Sequence, residues 1–224
     1  MPVTAAAVVL AAAQIVSFRT ADGWKLEASY RPAKAGRATI VLIHGVAASR
    51  QEWEPLTKRL QEKGVGTLAV DLRGHGGSTA GPKGPADFNG FTKADSWTKM
   101  TEDLRSAAFW LKKQGVKDSM IAFGGASIGA NLASQVAAER TKTPFLLLLS
   151  PADDYRGVRL AVRPGLKTLA AASLTDPRAL DAVNALEKGK YAQTVTAARG
   201  HGAQMFEDPK VLDKLVDWCA SAAR

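Results

Sequence analysis

Ser127, His201 and a carboxylate between them are the side chains whose types and order could do chemistry, and that chemistry is nucleophilic acyl transfer. Ser127 lies in Gly125-Ala126-Ser127-Ile128-Gly129. A serine between two glycines at a strand-to-helix turn is held proud of the sheet, because only small residues fit beside it. A serine hydroxyl is a poor nucleophile at neutral pH. It needs a histidine to take its proton and a carboxylate to hold that histidine in the right tautomer. Of the three histidines, His44 and His75 precede the serine and only His201 follows it, in Arg199-Gly200-His201-Gly202. The acid should lie between them, at a strand end. Asp176 directly follows a predicted strand at 168–174, and it also reads as a helix cap before Pro177. Asp153 and Asp154, after the preceding strand, are the alternatives. Glu139, Asp181 and Glu187 fall within predicted helices.

The oxyanion formed during acyl transfer needs backbone N–H donors, and loss of one such donor costs about 3 kcal/mol. Ile128, at the start of a helix, supplies one. The other is expected from Val46, in His44-Gly45-Val46-Ala47 after the central strand, where the glycine permits an unusual backbone path. His44 is then expected to be structural. The segment Asp71-Leu72-Arg73-Gly74-His75-Gly76-Gly77-Ser78 is rich in glycine, but no G-x-x-x-x-G-K-[ST] is present and no helix follows at once. It reads as a tight loop beside the elbow.

The elements that must position these groups follow from hydrophobic periodicity. Strands are predicted at 14–20 and 26–31, joined by Asp22-Gly23 as a hairpin. Residues 39–43 form a continuous apolar strand, typical of a sheet covered on both faces. A helix at 52–63, a strand at 66–71, a loop at 72–95 and a helix at 96–114 come next. The elbow strand at 120–123 leads to a helix at 128–140. A buried strand at 145–149 precedes residues 150–167, which have no strong period. The strand 168–174, a helix from Pro177, a strand at 192–197 and a helix from Pro209 complete the chain. A hairpin followed by alternating strands and helices predicts a mostly parallel sheet with helices on both faces. Sites of such sheets sit at the carboxyl ends of the strands, where all the candidates fall.

The chain has 224 residues, 46% apolar and 23% charged, ordinary for a globular protein. Its net charge is +9, but the cations are scattered and no aromatic–basic interleaving appears, so nucleic-acid binding is not expected. Arg156, Arg159, Arg163 and Lys167 form the one local concentration and could rim a pocket. The lone cysteine, Cys219, is expected to be buried packing. No ligand cluster implies a metal, and no cofactor is expected. Residues 1–13 read as a signal remnant or a frayed start, and 14–224 as one domain. The location is accordingly cytoplasmic, or secreted or periplasmic if 1–13 are a signal remnant. No segment is long enough to span a bilayer.

These elements together resemble an α/β-hydrolase: His44-Gly45, the Asp71 to Ser78 segment, the elbow, Asp176 after a strand, and His201-Gly202, in the order serine, acid, histidine. The resemblance implies an eight-stranded sheet with an N-terminal antiparallel hairpin and hydrolysis through an acyl-enzyme. It carries over Ser127, Asp176 and His201 as the triad and the Val46 and Ile128 amides as the oxyanion hole. Many relatives insert a helical cap after the sixth strand; here residues 150–167 are all there is, so the lid is minimal and the site open. The short lid is similar to small esterases, acyl thioesterases and the serine-aminopeptidase-like group. The expected substrate is a small ester of short or medium acyl chain. A thioester, a peptide or amide, a perhydrolase reaction, or a non-catalytic binding protein are the alternatives.

Overall fold

The computed structural model describes residues 12–224. The expectation for 1–13 therefore lies outside the described residues, apart from Ala12 and Ala13. A hairpin of β1 (Gln14–Arg19) and β2 (Lys25–Arg31) opens the chain. β3 (Thr39–Ile43), α1 (Glu54–Glu62) and β4 (Gly66–Val70) follow. A two-residue pair, β5 (Ala80–Gly81) and β6 (Gly84–Pro85), precedes α2 (Ala94–Thr98) and α3 (Thr101–Lys113). Next come β7 (Ile121–Ala126), α4 (Ile128–Glu139) and β8 (Leu146–Leu149). A small hairpin, β9 (Asp154–Tyr155) and β10 (Val158–Arg159), leads to β11 (Thr168–Ser173). α5 (Pro177–Lys188), β12 (Gln193–Ala197) and α6 (Pro209–Ala222) end it.

The main sheet has ten strands in the order β12-β11-β8-β7-β3-β4-β2-β5-β6, with β1 paired to β2. β5 and β6 are two-residue additions to the eight long strands the sequence predicts. From β12 to β4 every pairing is parallel. β2 runs antiparallel to both β4 and β1. The central strands β3, β7 and β8 are apolar and wholly buried, which requires cover on both faces. One core joins α3, α4 and α5 to the sheet through Met100, Leu104, Leu132, Val136 and Val183. The other joins α1 and α6 through Leu56, Leu60, Leu215 and Cys219. Burial pushes the Cys219 thiol up to about 12, so it packs as an apolar group.

One predicted helix is broken. Periodicity read residues 96–114 as continuous, but α2 and α3 are separate. Met100 N–H bonds Trp97 O at 3.1 Å and Asp103 N–H bonds Met100 O at 3.0 Å, an i to i+3 pattern tighter than an α-helix. The tightened turn lets Trp97 and Met100 both bury on the core side. Among the described residues, no helix is long and apolar enough to cross a membrane.

Candidate functional site

Ser127 stands between β7 and α4 in a backbone that an L-residue rarely adopts, with φ 55° and ψ −126°. Such strain costs about 1–3 kcal/mol and persists only where the surroundings dictate it. They do so here. A Cβ on Gly125 would lie 2.1 Å from Gly129 O, and one on Gly129 would lie 2.4 Å from Ile43 O and 2.5 Å from His44 O. Glycine at both positions lets α4 start hard against the end of β3. Ser127 N–H then bonds Leu149 O at 2.8 Å, which ties the turn to β8.

The loops after β3 and β4 are locked beneath the serine. His44 is fully buried. Its Nε2 accepts Leu72 N–H at 3.0 Å, so its proton sits on Nδ1 and is donated to Gly45 O at 2.7 Å. Burial, with the His75 ring beside it, pulls His44 down to about 4, so it stays neutral. This matches the structural role read from the sequence. Gly45 N–H donates to Glu52 Oε1 at 3.2 Å, and a Cβ on Gly45 would lie 3.3 Å from Ser127 Cβ. Burial pushes Glu52 up to about 7. The buried Asp71 carboxylate accepts from Arg50 N at 2.7 Å and from Gly77 N at 2.8 Å, and pairs with the Arg50 guanidinium. A Cβ on Gly76 would lie 2.2 Å from Asp71 Oδ2, so the glycine run wraps this carboxylate. It is a packed loop and no phosphate cradle.

Arg73 continues that lock. Its backbone N–H and Nε donate to the buried Asp103 at 2.9 and 2.8 Å, and Nη1 to Asp22 at 2.6 Å. Burial raises Asp103 to about 6 against the pull of Arg73.

The opposite side of the site is more open. Asp176 Oδ2 accepts from His201 Nδ1 at 2.6 Å, and the side chains are 14% and 44% exposed. The same carboxylate caps α5, its Oδ1 accepting Ala179 N–H at 3.4 Å, so Asp176 serves as the helix cap read from the sequence while it also bonds His201. Bonding at Nδ1 leaves Nε2 of His201 as the free proton acceptor. The histidine loop is anchored at both flanks: Ser173 Oγ donates to Gly200 O at 2.6 Å, and Gly202 N–H to Ser150 Oγ at 2.9 Å. A Cβ on Gly202 would lie 3.1 Å from Ala126 Cβ, so the residue after the histidine touches the residue before the serine.

Thus Asp176 and His201 are joined, and Ser127 adjoins their loop. No hydrogen bond joins Ser127 to His201; such bonds often tighten only with substrate in place. Asp153 and Asp154 are not paired with His201. Asp154 instead accepts Gly157 N–H at 2.7 Å within its hairpin. The Ile128 N–H, first in α4, has no intrahelical acceptor, and the Val46 N–H bonds nothing among the described residues. The cations read as a pocket rim do not converge. Arg156 lies 4.6 Å over the Trp97 ring, Arg163 bonds Thr141 O at 3.1 Å, and Lys167 lies 5.9 Å from the Trp218 ring centre. Sequence reasoning missed Glu52 and Tyr155, both of which border Ser127 or its loop. Among the described residues, no group of three or more His, Cys, Asp or Glu is disposed to hold a metal ion.

Fold and elbow together define an α/β-hydrolase. The family model described as serine aminopeptidase, S33, matches residues 34–216, and the chain belongs to that family. A 2-succinyl-6-hydroxy-2,4-cyclohexadiene-1-carboxylate synthase from Salmonella heidelberg is 39% identical over 59 residues, 26% of this chain. The match spans only 23% of that relative's length. A solved esterase from Pyrococcus furiosus superposes with a TM-score of 0.71 at 16% identity, over 95% of this chain and 91% of its own. An esterase from Exiguobacterium antarcticum gives 0.70 at 15% identity, over 92% and 99%. At these identities the likeness is one of fold.

Proposed function

We propose that this hydrolase is a serine carboxylesterase for short- to medium-chain acyl esters. The observation that carries the reading is the 2.6 Å bond between Asp176 and His201 Nδ1, beside a serine held at φ 55°. In this mechanism His201 Nε2 takes the Ser127 proton as Oγ attacks the ester carbonyl. The Val46 and Ile128 N–H groups receive the oxyanion. His201 then gives the proton to the leaving alcohol, and water repeats the cycle to free the acid. Asp176 holds the tautomer and steadies the imidazolium.

Replacing Ser127 by alanine tests this directly. Hydrolysis of p-nitrophenyl butyrate should fall by about 10⁴-fold or more, with the melting temperature retained. A fluorophosphonate probe should label the wild type at Ser127 and leave Ser127→Ala bare. Turnover unchanged by the substitution would overturn the assignment.

A further inference from the structure

The segment that replaces a cap is short, yet it is tightly held. Asn131, buried on α4, donates from Nδ2 to Ala152 O at 2.6 Å and Val158 O at 2.8 Å, and its Oδ1 accepts Ala152 N–H at 3.2 Å. Ser134 Oγ accepts Ala161 N–H at 3.0 Å, and Gln135 Nε2 donates to Arg159 O at 2.9 Å. Buried amides and hydroxyls are costly unless bonded, so these pairings fix one geometry. The helix that starts at the nucleophile thus holds the β9–β10 hairpin by its own polar side chains.

What the hairpin presents is Tyr155. The phenol donates to Ser150 O at 3.3 Å, and the Ser127 side chain lies near enough to act on its ionisation. Ser150 also binds the histidine loop through Gly202 N–H, and its neighbour Leu149 binds Ser127 N–H. The phenol therefore stands at the seam between Ser127 and the loop of His201. The Arg178 guanidinium lies 5.0 Å from the centre of its ring.

We propose that Tyr155 is a further catalytic residue, whose single O–H swings from Ser150 O to donate to Ser127 Oγ whenever that oxygen carries negative charge. The proposal rests on Ser127 being the nucleophile. Its largest effect falls on deacylation. Water attacks the acyl carbonyl and passes a proton to His201 Nε2. The carbon–Oγ bond breaks, the electron pair goes to Oγ, and His201 returns the proton there. The phenol keeps its own proton throughout; its hydrogen bond strengthens as Oγ gains charge. Burial raises the Tyr155 hydroxyl above its ordinary range, Ser127 and Arg178 oppose this, and Asp176 adds to it. The net rise keeps it a donor at neutral pH.

The test is Tyr155→Phe, which keeps the ring under Arg178. With p-nitrophenyl butyrate, kcat should fall at least about tenfold, as for loss of one donor at a reacting oxygen. KM should fall with it, because the acyl-enzyme accumulates, and mass spectrometry should detect that adduct. Tyr155→Ala should be no worse than Tyr155→Phe. If the phenylalanine variant matches wild type while the alanine variant is slow, the ring and not the hydroxyl matters, and the proposal fails. A fluorinated tyrosine at position 155 keeps the shape and loses its proton at lower pH. It should move the alkaline limb of kcat downward, and an unmoved limb would overturn the idea even if Tyr155→Phe did not fold. A wild type that takes no fluorophosphonate label overturns the esterase reading and this proposal together. A labelled, active wild type equalled by Tyr155→Phe overturns this proposal alone.

Discussion

The two flanks of Ser127 are built differently. On the β3–β4 flank, His44, Asp71 and Asp103 are fully buried, and Arg50 and Arg73 tie the loops together. On the β11–β12 flank, the His201 side chain is 44% exposed and one short bond to Asp176 holds it. The difference follows from what each flank does in the proposed cycle. Backbone donors that meet a developing oxyanion act best when they need not reorganise. A base must exchange protons with substrate and water, which requires access. One flank is therefore built for rigidity and the other for traffic.

The sharpest way to probe the open flank is Asp176→Asn. Asparagine still caps α5, so stability should hold, while the wrong imidazole tautomer lowers kcat by roughly 10³–10⁴-fold. Ester assays beside a thermal melt check this. A variant that melts early and retains its kcat would reverse the contrast.

The locked flank should respond in stability. Asp103→Ala leaves the buried Arg73 charge with the half-exposed Asp22 as its remaining carboxylate, and urea unfolding should register a loss of about 3 kcal/mol. A loss under 1 kcal/mol would mean the flank is rigid for some other reason.

Glu52 refines the contrast with a smaller effect. Its carboxyl titrates near 4.5 in an unfolded chain and about 7 when folded. The folded state holds the proton more tightly, so stability is highest below pH 4.5 and falls as pH rises through 7. The loss is on the order of 3 kcal/mol at most. Glu52→Gln keeps an acceptor for Gly45 N–H and should flatten the profile. Urea unfolding at pH 5 and pH 8 should find the variant more stable than wild type only at the higher pH. Equal pH slopes would remove Glu52 from the account.

Local signals explain what could be read from the chain. β3, β7 and β8 announce themselves as apolar runs, and the elbow glycines mark a turn that no larger residue fits. Asp176 and His201 stand out because each follows a strand in the right order. Tyr155 was not legible, because two-residue strands carry no period and its hairpin is fixed by Asn131, Ser134 and Gln135 from another element. Glu52 was hidden for a related reason: its approach to Gly45 depends on how α1 docks. The break at Met100 escaped because a tightened turn and an α-helix give nearly the same apolar spacing over a few residues.

The anchors of the histidine loop have a consequence for biosynthesis. Ser127 emerges from the ribosome well before residue 201, and domains acquire structure from the N-terminus as they are made. The loop around His201 is seated through Ser150 and Ser173 only once β12 has emerged. In the proposed cycle the nascent polypeptide thus carries its serine disarmed until the residues from β12 to Gly202 have been translated and seated.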